Sequence, residues 1–157
     1  KVVVSNNKKI KPNWSVAKTL RNEKKFGLTN KKRWDKFRIN TKKSKEDLIN
    51  LLYKLKKNNK TIVGNSCPCR SSVLLNYCGI GKDLIPYIAE QPTSAKLGLY
   101  LPGKHIPIVN NKILVKDQPD YILLLAWHYA KPIIKYLKKM GVKSKFIIPL
   151  PKVKIVK

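Results

Sequence analysis

The stretch that decides the fold is TIVGNSCPCRSSVLLNY, which runs from Thr61 to Tyr77. Its first residues, Thr61 to Gly64, form an apolar and β-branched run that is typical of a buried strand. A loop of small residues follows, and SSVLLNY then predicts a helix over 71–77 that is capped by a serine. A strand that leads directly into a helix predicts one βα unit of a parallel sheet.

The same alternation of strand and helix continues to the C-terminus. A helix is predicted over Pro132–Met140, closed by Gly141. Strands are predicted at Thr61–Gly64, Leu84–Ala89, Ile106–Val109, Tyr121–Ala126 and Lys145–Leu150. Residues 61–157 are therefore predicted to form an α/β domain with a Rossmann-like, mainly parallel sheet flanked by helices.

The first 60 residues have a different pattern. KVVVS at residues 1–5 predicts a short strand, and Ser15 is expected to cap a helix that ends at Phe26, before Gly27. A second helix is predicted over Lys31–Asn58, with leucines at helical spacing in its second half: Leu48, Leu51, Leu52 and Leu55. Residues 1–60 are thus predicted to be a short strand plus a helical connector, whose long helix packs along the sheet.

The charge is strongly positive, with 35 Lys and Arg against 8 Asp and Glu in 157 residues, a formal net charge of +27. Such a field is typical of proteins that bind nucleic acid or another polyanion. Only four of the basic residues are Arg, however, and Arg is the side chain that suits bidentate recognition of phosphates and bases. A solvated, lysine-rich surface is therefore favoured over a nucleic-acid-binding module, which remains the alternative.

Other classes of protein are excluded by composition and spacing. The longest apolar run, Tyr121–Trp127, is strand-sized and far below the roughly 18 residues that span a bilayer, so no membrane association is expected. Cys67, Cys69 and Cys78 are odd in number and lack zinc-finger spacing, which indicates a reducing compartment and a cytoplasmic location. No metal site is predicted.

The loop after the first strand is a candidate phosphate site. Ligands of open α/β sheets bind at the carboxyl ends of the strands. Free N–H groups at a helix start converge here with Arg70, Ser71 and Ser72, which suits a phosphate or pyrophosphate. The loop has no G-x-G-x-x-G, so a nicotinamide dinucleotide is not indicated. The alternative is an ordinary βα turn.

A second group of candidate residues follows the strand that ends at Ala126. Trp127 and His128 are expected at the same edge of the sheet, together with Tyr129. An aromatic ring and an imidazole can orient a base or a sugar ring. The alternative is that the aromatic rings fill the core.

Four collinear runs resemble one known family. They are VGNSCPCRSSVLLNYCGIGKDLI (63–85), KLGLYLPGKHIPIV (96–109), DQPDYILLLAWHYAKPII (117–134) and KFIIPLPKVKIV (145–156). Together they resemble the C-terminal domain of the S-adenosylmethionine-dependent C-methyltransferases that act on nucleotide-linked deoxysugars. The segment 12–59 looks like the connector of that family, and KVVVS looks like the last strand of its methyltransferase core.

The resemblance implies a three-part enzyme, with a zinc-binding N-terminal region, a middle domain that binds S-adenosylmethionine, and this domain. The sugar nucleotide is expected in the cleft between the parts, and zinc only in the N-terminal region. No residue here matches the donor loop, the zinc cysteines or the catalytic base. The chain is therefore expected to be catalytically silent alone and to need the methyltransferase core, in cis or in trans.

Some residues fit the family pattern and others depart from it. Arg70, Ser72 and Asn76 fit, and Asn76 is added to the candidate substrate-binding residues on that ground. At the positions of Asn65 and Ser66 the family frequently has Tyr-Gly or a similar pair. The sequence therefore does not establish how tightly this loop turns. A stand-alone docking subunit for a separate methyltransferase domain is the remaining alternative.

Overall fold

A computed structural model describes residues 4–7 and 9–157. The described chain divides into two compact units, Lys1–Thr41 and Lys42–Lys157, and the boundary lies within one long helix. The predicted strand at residues 1–5 falls mostly outside the described residues. No helix in the described part is long and apolar enough to cross a membrane.

The N-terminal unit holds helix α1, Trp14–Phe26, and the first half of helix α2, Lys31–Lys57. The residue that caps α1 is Asn13, whose Oδ1 accepts a hydrogen bond from the Ser15 N–H at 3.0 Å, so the prediction of Ser15 as cap was two residues too late. Gly27 ends the helix in the left-handed conformation at φ 81°, as predicted.

The C-terminal unit is built on one six-stranded sheet in the order β3-β2-β1-β4-β5-β6. All strands are parallel except β6, which pairs antiparallel with β5. The strands are β1 Ile62–Asn65, β2 Ile88–Glu90, β3 Ile108–Asn110, β4 Tyr121–Leu124, β5 Lys145–Ile148 and β6 Lys154–Val156. The predicted α/β, Rossmann-like, mainly parallel sheet is therefore confirmed.

Helices cover both faces of this sheet. They are α3 Cys69–Cys78, α4 Ile113–Asp117 and α5 Ala130–Lys139, together with the second half of α2. Because side chains alternate along a strand, Ile62 and Leu123 pack on one face with Leu52 of α2 and Leu75 of α3. Neighbouring residues face the other way, toward α4 and α5: Val63, Ile122, Leu124 and Phe146.

The second half of α2 belongs with the sheet. Leu48, Leu52 and Leu55 are buried in the same cluster as β1. The two compact units meet at 41/42, whereas the sequence pattern divides the chain at 60/61. The sequence gives no sign of a boundary at residue 41, because the helical period of α2 continues across it.

Several predicted element boundaries differ from the structure. Helix α3 begins at Cys69 with Pro68 in the cap position, so no serine caps it. The strand predicted from Leu84 begins only at Ile88, because Leu84 and Ile85 are buried in the turn that precedes it. The predictions also missed helix α4 and strand β6, whose three to five residues are too short for a periodic signal.

Candidate functional site at the carboxyl edge of the sheet

The order of the strands places a crevice between β1 and β4. From β1 the chain moves outward to β2 and β3, and it then returns to β4 on the other side of β1. At such a reversal the loops after the two strands separate, and ligands of open α/β sheets bind there. We call the edge formed by the carboxyl ends of β1 to β4 the carboxyl edge.

The loop after β1 is fixed by hydrogen bonds between its backbone and two side chains. Ser66 adopts φ 65°, and the Cys67 N–H that follows donates to Oε2 of Glu90 at 2.7 Å. Lys96 Nζ donates to the Cys67 carbonyl at 2.5 Å. The loop is therefore held against the end of β2 by one carboxylate and one ammonium group.

The structure brings Arg70 and His128 together, 58 residues apart in sequence. Arg70 NH1 lies 2.5 Å from Nε2 of His128. Because a guanidinium can only donate, Nε2 is the acceptor in this contact. This contact uses one of the five N–H donors of Arg70 and leaves the exposed guanidinium oriented at the carboxyl edge.

The other predicted site residues lie in different surroundings. The Trp127 and His128 rings are 4.8 Å apart between centroids, in a short 3-10 helix rather than at the end of the strand. The Ser71 side chain is fully buried and donates to the Pro68 carbonyl at 2.5 Å, whereas the Ser72 hydroxyl donates to the Cys69 carbonyl. Both hydroxyls therefore hold the first turn of α3.

Asn76 connects α3 to another loop. Its Nδ2 donates to the Ser72 carbonyl at 2.8 Å and to the Pro102 carbonyl at 3.0 Å. It lies about 9 Å farther along the helix than Arg70, given the helical rise per residue. The structure therefore does not bring its amide to the Arg70–His128 pair.

A cavity of about 300 Å³ opens at the carboxyl edge on the face of α5. Its lining comes from the ends of all four parallel strands from β1 to β4 and from α5. The lining residues are Asn65, Ser66, Glu90, Gln91, Asn111, Ala126, Tyr129, Ile133, Tyr136 and Leu137. We call it the carboxyl-edge cavity.

Glu90, Asn111 and Tyr136 are site residues that the sequence patterns did not predict. Glu90 and Asn111 follow β2 and β3, so the rule that selected the loops after β1 and β4 could have found them. Tyr136 lies in the middle of α5 and carries no local signal, because only the packing of α5 on the sheet brings it to the cavity.

A larger cavity of about 440 Å³ lies at the opposite edge, near the start of β1, with Lys56, Lys60 and Tyr87 among its lining residues. The Tyr87 hydroxyl donates to Asp117 at 2.9 Å. Burial, together with this carboxylate, raises the pKa of Tyr87 well above its usual range. The Tyr87 hydroxyl consequently stays protonated and holds Asp117. The carboxyl edge is the better candidate site, because ligands of open α/β sheets bind at the carboxyl ends of the strands.

The three cysteines are free thiols in the structure. Cys67 and Cys78 are buried and Cys69 is exposed. Burial raises the pKa of the Cys78 thiol, and the nearby Lys45 ammonium only partly offsets this effect. Among the residues that the structure describes, no group of three His, Cys, Asp or Glu side chains is placed to hold a metal ion.

The sequence matches a known family along most of its length. Residues 1–151 match the family described as the C-methyltransferase C-terminal domain. The chain is also 32% identical over 146 residues to the C-methyltransferase NovU of Streptomyces niveus, an alignment that covers 90% of this chain and 34% of that relative. The chain thus spans about a third of the length of the relative it matches. A match along nearly the whole chain shows that it belongs to the C-methyltransferase C-terminal domain family.

Proposed function

We propose that this domain binds the nucleotide-linked keto-deoxysugar substrate of an S-adenosylmethionine-dependent C-methyltransferase and holds it at the carboxyl edge. The observation that supports this best is the Arg70–His128 pair at the sheet's topological reversal. An exposed guanidinium with four remaining donors, beside the start of α3, suits the diphosphate of a sugar nucleotide. The ring of Trp127 lies next to this pair and is half-buried against the core on the α5 side of the sheet, and its exposed part would contact a base or sugar.

The residues here do not fit a site for the methyl donor. Gly64, the glycine nearest the first loop, packs under β2, since a Cβ on it would lie 3.0 Å from Cγ1 of Ile88. Both carboxylate oxygens of Glu90 accept backbone N–H groups, from Cys67 and Gln91. We therefore assign donor binding and proton removal to the methyltransferase core, and we expect no methyl transfer by this chain alone.

The reaction itself supports this division of labour. Methylation at carbon requires removal of a proton next to a keto group and an enolate held in line with the methyl group. The contribution of the present domain is the position of the substrate, which lowers the entropic part of the barrier. In the full-length enzyme this domain would close over a sugar nucleotide that the core then methylates.

Substitution of Arg70 tests the proposal. Arg70→Ala is expected to raise the Kd for thymidine diphosphate and for a thymidine-diphosphate keto-deoxysugar by about tenfold or more, because charge-assisted hydrogen bonds to phosphate are lost. Isothermal titration calorimetry on wild type and variant measures this effect, with and without the methyltransferase core.

Arg38→Ala is the matched control. It removes the same charge from an arginine whose side chain is 81% exposed and pairs only weakly with Asp35, at 3.5 Å. We expect it to leave both affinities unchanged. Absence of binding by the wild-type chain, even with the core present, would refute the proposed function.

A further inference from the structure

We propose that the carboxyl-edge cavity is a separate binding subsite for an uncharged polar ring, and that the side-chain amide of Asn111 positions this ring. The inference rests on the proposed function and extends it to residues outside the Arg70–His128 pair. Asn111 is 2% exposed and lines the cavity. Its Oδ1 accepts no hydrogen bond from any described residue.

An unpartnered amide oxygen in this position needs an explanation. Buried polar groups are nearly always hydrogen-bonded, because desolvation without a partner destabilises the folded state. A ligand that enters the cavity and bonds to the amide supplies the missing partner. A loss of folding stability at one residue, with no gain elsewhere in the fold, is typical of a functional position.

The backbone holds Asn111 in place. Its N–H donates to the Glu90 carbonyl at 2.8 Å, and its carbonyl accepts from the Leu114 N–H at 3.1 Å. The preceding Asn110 has a local role, since its Oδ1 accepts from the Lys112 N–H at 3.0 Å. One asparagine of the pair thus stabilises the turn, whereas the Asn111 amide has no such task.

The chemistry of the lining selects the ligand group. The described lining residues include the Glu90 carboxylate and three amides, and none of them is Lys or Arg. A carboxylate repels phosphate and accepts hydrogen bonds from N–H or O–H groups. The diphosphate is therefore expected at Arg70, and an uncharged ring with donors and acceptors in the cavity.

The size of the cavity agrees with one ring. About 300 Å³ is the lower end of the roughly 300–1,000 Å³ that ligand pockets span, so the cavity holds part of a sugar nucleotide and not the whole. Two parts of such a ligand share the required chemistry, the nucleoside and the hexose. Their separate use as probes distinguishes the two sources.

Asn111→Leu is the first test. Loss of one ligand hydrogen bond is expected to raise the Kd for a thymidine-diphosphate keto-deoxysugar by about tenfold. Because the substitution removes an unpartnered buried amide oxygen, the urea midpoint is expected to stay equal or rise. Asn110→Leu, which breaks the bond to Lys112, should instead lower the midpoint. Wild-type affinity in the Asn111→Leu variant would overturn the inference.

The second test needs no substitution at the cavity. In nitrogen-15 labelled wild-type protein, thymidine and a free 6-deoxyhexose are titrated separately. The Asn111 side-chain amide resonance should shift with the one that represents the ring bound in the cavity. The Gln118 amide, which donates to the Val115 and Gly141 carbonyls, is the control and should not move. Pyrophosphate alone should leave Asn111 unshifted.

The outcomes separate the two proposals. A sugar nucleotide that binds, loses affinity in Arg70→Ala and leaves the Asn111 resonance unchanged would overturn the subsite and keep the proposed function. A sugar nucleotide that does not bind at all would overturn both. A shift of Asn111 by pyrophosphate alone would overturn the assignment of the cavity to an uncharged ring.

Discussion

At the scale of single residues, Asp120 shows how one carboxylate holds two strands at their starts. It accepts hydrogen bonds from the Thr61 N–H at 2.9 Å, from the Thr61 hydroxyl at 3.0 Å and from Lys60 Nζ at 3.1 Å. The backbone N–H of Thr61, followed by Lys60, lowers the pKa of Asp120 below its usual range. The residue thus fixes the entry of β1 beside β4.

This geometry predicts a pH-dependent loss of stability in Asp120→Asn. A folded-state pKa below the unfolded value means that ionised Asp120 stabilises the protein above about pH 4 and that this contribution disappears as the pH falls through the folded-state pKa. At pH 7 the variant is expected to lose about 1 kcal/mol, because the carboxylate is partly exposed. Urea unfolding at pH 7 and at pH 3 measures the difference, which should shrink at the lower pH.

Asp35→Asn is the control, since it makes the same change of net charge at a more exposed carboxylate. This variant should lose little unfolding free energy at either pH. Equal losses in the two variants would contradict the role given to Asp120.

At the scale of elements, the loop before β3 docks on α3 through one close contact. Gly103 adopts φ 83°, and a Cβ on it would overlap the side-chain amide of Asn76. The same amide bonds to the Pro102 carbonyl. The candidate substrate residue Asn76 therefore also positions this loop, and its binding role stays a prediction.

Gly103→Ala should consequently destabilise the domain more than Gly98→Ala. Both glycines have φ near 80°, but a Cβ at Gly98 would meet no atom within 4 Å. For Gly98→Ala we expect the free energy of unfolding to fall by about 1 kcal/mol, from backbone strain alone. For Gly103→Ala we expect a fall of roughly 2–3 kcal/mol, because the clash with Asn76 adds to the strain. Thermal or urea unfolding of the two variants checks this order, and equal losses would contradict the docking contact.

At the scale of the whole molecule, the net charge of +27 is spread over the surface and is most dense in the first 60 residues, which hold 20 of the 35 Lys and Arg. Within the N-terminal unit the Arg33 guanidinium lies 3.8 Å from the centre of the Phe26 ring, and Trp34 donates to the Leu28 carbonyl. These contacts support the two helices locally. The lysines that the structure describes in this unit are exposed.

Binding to duplex DNA should accordingly depend on salt and not on sequence. With 6 to 10 phosphate contacts, affinity would fall by roughly 10³-fold or more between 50 and 200 mM salt. Fluorescence anisotropy with two unrelated duplexes measures the affinity at each salt concentration. Arg70→Ala should lower the affinity for DNA no more than Arg38→Ala does. Sequence-selective binding that persists at 200 mM salt would favour the nucleic-acid-binding alternative.

The sequence by itself determined the five parallel strands and the helices α3 and α5 of residues 61–157, because the burial of apolar faces imposes a local period on the chain. It also placed Arg70 and His128 at the carboxyl edge, since both follow a strand. Only the tertiary structure decided that these two side chains touch, that Ser71 lies on the buried face of α3, and that Glu90, Asn111 and Tyr136 surround one cavity. The physical reason is that such contacts join residues 20 to 60 positions apart, and strand order and packing, not local period, set their distances.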